Sequence, residues 1–174
     1  KNFSNKDDLF ELFKENYHSI RINPIRVSSD EFSYPIHIYI RYEIEKMIFS
    51  ENLDLIDIRE IWNKMYKEML GINISNDSEG VLQDIHWFEG MYGYFPTYAT
   101  GAMMASQLKY NYPKYNEFNS NPNSQNMGEV SQWLTDNIHQ YGSEYSMSDV
   151  LSKISKEELN PNYLVKHLKE RFKV

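Results

Sequence analysis

The sequence contains no cysteine, which excludes disulfide bonds and thiolate metal sites. No apolar run approaches the roughly 18 residues that a membrane-spanning helix needs. The polar residues 1–8 have no apolar signal-peptide core. Lysine and arginine number 18 against 25 acidic residues, and this net charge of −7 argues against a nucleic-acid partner, because phosphate binding needs concentrated positive charge. These absences predict a cytoplasmic protein that binds neither nucleic acid nor a membrane.

The residues that are present predict one helical region. The chain has 174 residues, of which 41% are hydrophobic, enough for a domain with a buried core. No internal repeat and no linker interrupts residues 1–174, and 15% of the residues are aromatic. The sequence therefore predicts a single region with wide, partly polar packing surfaces or a cleft.

Helical periodicity recurs along most of the chain. The most regular pattern places Ile58, Ile61, Trp62, Met65 and Met69 on one face, and Gly71 follows where a C-terminal cap belongs. Residues 111–125, rich in asparagine, proline and serine, predict a loop. Ser148 is the expected cap of a short helix. Helices are predicted at about 7–17, 32–49, 57–70, 96–110, 128–140 and 148–154, and from 161 onwards. The predicted fold class is mainly α, bundle-like, with little or no sheet.

Residues 80–107 are the most informative stretch. Residues 80–87 combine polar and aromatic side chains too polar for a core and too aromatic for a linker, namely Gln83, Asp84, His86 and Trp87. A loop with two glycines and three aromatics follows, and Pro96 then begins a helix rich in small residues. If any part of the chain contacts a ligand, we expect it to be this stretch.

The histidines do not form a recognisable metal site. None of the five is spaced four residues from another, so the chain has no H-E-x-x-H helix. Asp84 and His86 could supply two metal ligands, but a zinc site takes three or four. The alternative is that Asp84 orients His86 or caps a helix. No serine lies in a G-x-S-x-G turn, so a serine hydrolase is not indicated either.

Arg26 lies in a short segment, expected to be extended, before a capped helix. A guanidinium in such a place can bind a carboxylate through two parallel hydrogen bonds. Pairing with a neighbouring aspartate or glutamate is the alternative. The phenols of Tyr92, Tyr94 and Tyr98 can donate to a carbonyl or a developing oxyanion, or they can simply pack. Composition and spacing do not separate these alternatives.

Two motifs resemble those of a known family. Residues 25–30, I-R-V-S-S-D, resemble the motif I-R-x-x-A-D, with Ser29 in place of alanine. Residues 80–87 match G-x-x-Q-D-x-H-W in full. Together with G-Y-F-P-T-Y at residues 93–98 and the pair Trp133 and Leu134, they resemble the Taq-type family of zinc metallocarboxypeptidases, from about Phe10 to the C-terminus.

The resemblance implies that the chain is the C-terminal part of a larger helical metallopeptidase. In that family the H-E-x-x-H helix and the glutamate that completes the zinc site precede the point where this chain begins. We therefore expect zinc, or another divalent metal, with all its ligands outside this chain, and we expect the chain alone to be inactive. The expected partners are the upstream H-E-x-x-H segment, a peptide C-terminus and, in the complete enzyme, a second subunit of a homodimer.

The resemblance also implies roles for particular residues. Such enzymes release single residues from peptide C-termini, and Arg26 becomes the candidate for binding the terminal carboxylate. His86 and Tyr94 would hydrogen-bond the substrate or the tetrahedral intermediate, as the catalytic candidates. Gln83 and Asp84 would support His86, and they join Trp87 and Tyr98 among the expected substrate-binding residues.

Two other classes of function remain open. The chain could be a non-catalytic helical interaction module that keeps the motifs only as architecture, because an exposed apolar and aromatic surface would bind partners. It could also be an independent metal enzyme centred on Asp84 and His86, which would require stoichiometric metal in the purified chain.

Overall fold

A computed structural model describes residues 16–50 and 53–174 of the chain. Within these ranges the chain forms helices and loops without any β-strand, and the mainly α fold class is confirmed. No helix in these ranges is long and apolar enough to cross a membrane. The α-helices are α1 (Tyr34–Ser50), α2 (Ile58–Leu70), α3 (Pro96–Asn111), α4 (Tyr115–Ser120), α5 (Ser124–Asn137), α6 (Met147–Ser155) and α7 (Asn162–Phe172). Short 3-10 helices occur at Arg26–Ser28, Leu55–Asp57 and His139–Tyr141.

The chain divides into two compact units. The first comprises Lys1–Ala99 with Leu168–Val174, and the second is Thr100–His167. Residues 25–30, 80–87 and 93–98, which carry the family motifs, all belong to the first unit. The helix expected at about 7–17 lies almost wholly outside the described residues. One helical region over residues 1–174 stays a prediction.

Helices α1 and α2 build the core of the first unit. The buried residues of α2 are spaced four apart, so their side chains lie on one face of the helix: Ile58, Trp62, Tyr66 and Leu70. Met69, expected to face inward, is 39% exposed, and Tyr66 and Leu70 are buried instead. The rings of Trp62 and Tyr66 stack with centroids 5.0 Å apart. The buried cluster consists of Ile40, Ile44, Ile58, Trp62, Tyr66 and Leu70.

Gly71 ends α2 as the sequence predicted. Its φ of 71° is left-handed, and its N–H donates to the carbonyl of Lys67 at 3.2 Å. A Cβ at Gly71 would meet no heavy atom of the described residues within 4 Å, so a substitution there is penalised by backbone conformation alone. We expect Gly71→Ala to lower the free energy of unfolding by about 1 kcal/mol, measured by urea denaturation.

Gly101 provides the matched control. It lies inside α3 with ordinary helical φ, and a Cβ there also meets no described heavy atom within 4 Å. Gly101→Ala should raise helix stability by about 0.5–1 kcal/mol. If both alanine variants change stability in the same direction, the left-handed conformation is not what requires glycine at residue 71.

The second unit corrects two predictions. Residues 111–125, predicted as a loop, contain α4 and the start of α5, because Asn123 and Asn126 form a reciprocal capping box that begins α5 early. Ser146, not Ser148, caps α6: its hydroxyl accepts the N–H of Asp149, whose carboxylate accepts the N–H of Ser146. In both places the cap lies upstream of the expected start, by five residues at Asn123 and by two at Ser146.

Candidate functional site

The two family motifs meet at the side of α1. Residues 80–87 form turns between α2 and α3, and residues 25–30 immediately precede α1. The segment expected to be extended at Arg26 is instead the 3-10 turn Arg26–Ser28, closed by Ser29, whose N–H and hydroxyl both donate to the Arg26 carbonyl. This turn points the Arg26 side chain inward, where it is 6% exposed.

Asp84 lies between two arginines. Its Oδ1 accepts from Arg26 Nε at 3.0 Å and Nη2 at 2.8 Å, and its Oδ2 accepts from Arg41 Nε at 2.6 Å. Burial acts to raise the pKa of Asp84, but the hydrogen bonds from Arg26 and the charge of Arg41 outweigh it and lower that pKa below its usual value. Asp84 is therefore ionised at neutral pH.

Gln83 joins the same segments through its amide. Its Oε1 accepts from the Arg26 backbone N–H at 2.8 Å and from Arg41 Nη2 at 2.9 Å. Its Nε2 donates to the carbonyls of Glu79 at 2.8 Å and Pro24 at 3.1 Å. Every polar atom of the side chain is thus used to fasten the motif segments to each other and to α1.

Arg26 shows the internal pairing that the sequence left as an alternative. Besides Asp84 it binds Tyr34, whose hydroxyl accepts from Nη1 at 2.9 Å, and its guanidinium carbon lies 5.1 Å from the ring centre of Tyr98. Burial acts to lower the pKa of Arg26, but the hydrogen bond to Asp84 and its charge raise it above the ordinary value. These bonds leave one N–H on each terminal nitrogen for a further acceptor.

His86 is buried among aromatic rings, with 7% of its surface exposed. Its ring centre lies 4.4 Å from that of Phe95, and Nε2 is 3.0 Å from the hydroxyl of Tyr98. Nδ1 is 4.0 Å from Asp84 Oδ1, too far for a hydrogen bond, and no atom of the described residues bonds it. The contact that orients His86 therefore comes from Tyr98. Burial, aided by Arg26 and Arg41, lowers the pKa of His86, so the ring is neutral at neutral pH.

The remaining predicted residues divide into two groups. Tyr94 lies beside His86 with ring centres 5.6 Å apart and keeps an exposed edge, and it packs edge-on against Tyr98 at 5.4 Å. Trp87 instead packs against the core, where its Nε1 donates to Glu45 at 2.7 Å and its ring meets Trp62 edge-on. Tyr94 thus lies at the exposed border of the His86 pocket. Trp87 lies on the core side and attaches the segment next to His86 to α1.

Sequence reasoning missed the residues of α1 that bind these motifs. His37, Arg41 and Glu45 follow one another at four-residue spacing and are all buried, forming a polar row beside the apolar residues of α1. Three ionisable groups at i, i+4 and i+8 of a helix lie on one face. That spacing was visible in the sequence, although their partners were not.

No metal site is present in this part of the chain. Residues 16–50 and 53–174 contain no group of three or more histidine, aspartate or glutamate side chains that could bind one ion. Asp84, one of the two residues considered as ligands, is committed to Arg26 and Arg41. The described residues therefore do not fit a metal centre of their own.

Comparison with known proteins finds one family. Its sequence model, described as Carboxypeptidase Taq (M32) metallopeptidase, matches residues 2–172. Carboxypeptidase 1 of Bacillus subtilis is 42% identical over 149 residues, which are 85% of this chain and 30% of that protein. Thermostable carboxypeptidase 1 of Pyrococcus furiosus is 34% identical over 157 residues, 90% of this chain and 32% of that protein.

Solved structures give the same result. Metallocarboxypeptidase 1 of Trypanosoma cruzi is 31% identical with a TM-score of 0.89, over 98% of this chain and 36% of that chain. The crystal structure named BsuCP is 37% identical with a TM-score of 0.81, over 98% of this chain and 34% of that chain. The chain thus spans roughly a third of the length of the relatives it matches. Because the family model covers nearly all 174 residues, the protein belongs to the carboxypeptidase Taq (M32) family of metallopeptidases.

Proposed function

We propose that this chain is the substrate-binding portion of a metallocarboxypeptidase that releases single residues from peptide C-termini. The observation that carries the proposal is that two buried groups beside Tyr98 keep hydrogen-bonding atoms that no described residue uses. The charged Arg26 retains N–H groups for a carboxylate, and His86 has an Nδ1 without a partner among the described residues. A peptide C-terminus offers a carboxylate and, next to it, a carbonyl oxygen.

Arg26 would bind the terminal carboxylate of the substrate while it remains bound to the carboxylate of Asp84. Arg26, Arg41 and Asp84 together carry two positive charges and one negative charge. The excess of one positive charge, in a place with little water, favours a second anion. Asp84 and Arg41 would hold the guanidinium plane fixed, which lowers the entropy lost when the substrate binds.

His86 would contact the scissile carbonyl. In the tautomer that carries its proton on Nδ1, Nε2 accepts from the Tyr98 hydroxyl and Nδ1 is the atom that would donate to a substrate oxygen. A donor aimed at an oxygen that gains charge in the transition state stabilises that state more than the ground state. Tyr94, at the exposed border of the pocket, would supply a second donor. Gln83, Asp84, Trp87 and Tyr98 would keep these groups in place.

The described residues contain no group of three or more side chains that could bind one metal ion. Membership of a metallopeptidase family implies a divalent metal in general. We propose zinc or another divalent ion, bound by ligands outside this chain in an H-E-x-x-H-containing segment. That segment and the peptide C-terminus are then the partners of the site described above.

A chimera tests the proposal directly. The third of B. subtilis carboxypeptidase 1 that this chain matches would be replaced by the chain itself. We expect the chimera to release C-terminal residues from peptides and to stop when a chelator removes the metal. The 174-residue chain alone should release none and should bind no stoichiometric metal. A soluble, metal-loaded chimera without activity would refute the proposal.

Arg26→Ala in the chimera tests the carboxylate contact. We expect KM for a peptide with a free C-terminus to rise about 10–100-fold, the effect of losing charge-assisted hydrogen bonds worth about 1.5–3 kcal/mol. Arg59→Ala, at an exposed ion pair with Asp77, is the matched control. Thermal unfolding of both variants separates loss of binding from loss of fold. Unchanged KM and kcat in the Arg26 variant would show that another group binds the carboxylate.

A second function is favoured by one surface. Exposed apolar side chains surround a cavity of about 300 Å³ in the first unit, among them Leu55, Leu82 and Phe88. Such a surface suits a non-catalytic interaction module. An inactive chimera, together with tight binding of the chain to a protein without H-E-x-x-H, would favour this function over the first.

A further inference from the structure

Glu45 is a buried carboxylate that binds one loop at two points. It lies on α1 and is 5% exposed. Its Oε1 accepts from Trp87 Nε1 at 2.7 Å, and its Oε2 accepts from the Gly93 backbone N–H at 3.0 Å. A buried charge is costly unless hydrogen bonds compensate it, and here two N–H donors do so.

The loop between these two points depends on special backbone geometry. Gly90 and Gly93 have φ values of 70° and 74°, in the left-handed region that favours glycine. The N–H of Met91 donates to the His86 carbonyl at 2.8 Å, so the loop folds back on the residue before Trp87. The chain therefore turns sharply between two contacts with the same carboxylate.

Both contacts adjoin residues of the candidate site. Trp87 directly follows His86, and Gly93 directly precedes Tyr94. Phe95, two residues after Gly93, lies against the His86 ring. One carboxylate on a regular helix thus binds the Trp87 side chain on one side of the His86 pocket and the Gly93 backbone on the other. Arg41, one turn earlier on α1, does the same for Gln83 and Asp84.

We infer that Glu45 is a positioning residue, which sets the orientation of the His86 ring by fixing Trp87 and Gly93 to α1. Its two described hydrogen bonds go to Trp87 and Gly93 and not to His86, although its negative charge acts to raise the pKa of the His86 ring. The inference rests on the proposed function only for what the orientation of His86 serves, which is contact with the scissile carbonyl. The orientation itself is a property of this chain and is measured without catalysis.

Glu45→Gln tests the inference in the 174-residue chain. The glutamine amide has only one acceptor oxygen, so it can accept from either Trp87 Nε1 or the Gly93 N–H but not from both. Its NH₂ group then faces the other N–H donor, and that contact is lost. The remaining hydrogen bond no longer goes to a charged acceptor. We expect the Gly93 amide or the Trp87 indole N–H to exchange with solvent at least about 10-fold faster, by NMR. The ¹⁵N shifts of the His86 ring should change with it, because its bond to Tyr98 is no longer held in one geometry.

Two variants make the result decisive. Glu43→Gln removes another carboxylate of α1, paired only with Lys46 in the described contacts, and should change none of these signals. Trp87→Phe removes one contact and leaves Gly93 bonded, so its His86 shifts should lie between those of the wild type and Glu45→Gln. Faster exchange confined to residues 86–95, with α2 amides still protected, supports the inference.

Two outcomes would overturn it. The first is exchange that rises equally in α2 and the loop, since Glu45 would then support only the fold. The second is a loosened loop with unchanged His86 shifts, since the ring would then be held by other contacts. Neither outcome depends on whether the chimera hydrolyses peptides, so failure here is distinct from failure of the proposed function.

Discussion

Arg41→Met is expected to lower the free energy of unfolding by about 3–5 kcal/mol, the range observed when one partner of a buried ion pair is removed. The Arg41 side chain is fully buried, and its guanidinium donates to Asp84, Gln83, Tyr66 and the carbonyl of His37. Methionine fills similar volume but offers no donor, so these acceptors lose a partner where water does not replace it. Urea denaturation followed by tryptophan fluorescence measures the change.

An exposed arginine gives the comparison. Arg59 pairs with Asp77 at 2.6 Å, with side chains 63% and 42% exposed. Exposed pairs contribute about 0–1 kcal/mol, so Arg59→Met should change stability little. Arg41→Lys keeps the charge but loses the forked geometry and should fall between the two. Equal effects of Arg41→Met and Arg59→Met would mean that the network around Asp84 adds little to stability.

Periodicity in the sequence located most helices but not always their buried faces. The α2 pattern gave both the helix and its Gly71 end correctly. It placed Met69 on the buried face and left out Tyr66, whose ring is buried and whose hydroxyl bonds Arg41 and His37 inside the protein. Hydrophobicity alone does not predict the burial of a tyrosine whose hydroxyl finds hydrogen-bond partners inside the protein.

The candidate site could be located from the sequence by composition and motif and not by periodicity. The stretch at residues 80–87 was recognisable by composition and motif, whereas its partners lie on α1, some 40 residues away in the chain: Asp84 binds Arg41, and Trp87 binds Glu45. Hydrogen bonds over such distances follow from how α1 packs, and no local pattern encodes them. Orienting His86 was one of two roles that the sequence left open for Asp84, but both of its oxygens bind arginines, and His86 Nδ1 lies 4.0 Å away.

The polar row of α1 connects the fold with the proposed function. Arg41 binds the motif before His86, and Glu45 binds the loop after it. A helix is stiffer than a loop, so contacts with one helix can keep loop-borne groups within the narrow tolerances that catalysis needs. Substitutions in α1 should therefore alter the candidate site without touching its ligand-binding atoms.

His37, the first residue of that row, should make the protein less stable as the pH falls. Burial lowers its pKa from 6.5 to about 4, and the charges of Arg41 and Arg26 act in the same direction. The ring is held by one hydrogen bond of 3.0 Å between Nδ1 and the Tyr66 hydroxyl, which also accepts from Arg41 Nη1. The unfolded chain takes up a proton below pH 6.5, whereas the folded protein does so only near pH 4.

The sign of the effect follows from these two values. Because the folded pKa is the lower one, the stability is fully present above pH 6.5 and declines between pH 6.5 and about 4. The full shift corresponds to about 3 kcal/mol. We expect the free energy of unfolding of the wild type, measured in urea at steps through this window, to fall by up to that amount relative to His37→Gln. Subtracting the variant removes the contribution of every other titrating group, including His86. If the two curves stay parallel from pH 7 to 4, the His37 ring is protonated in the folded protein as readily as in the unfolded chain, and its burial in the polar row of α1 has no electrostatic cost.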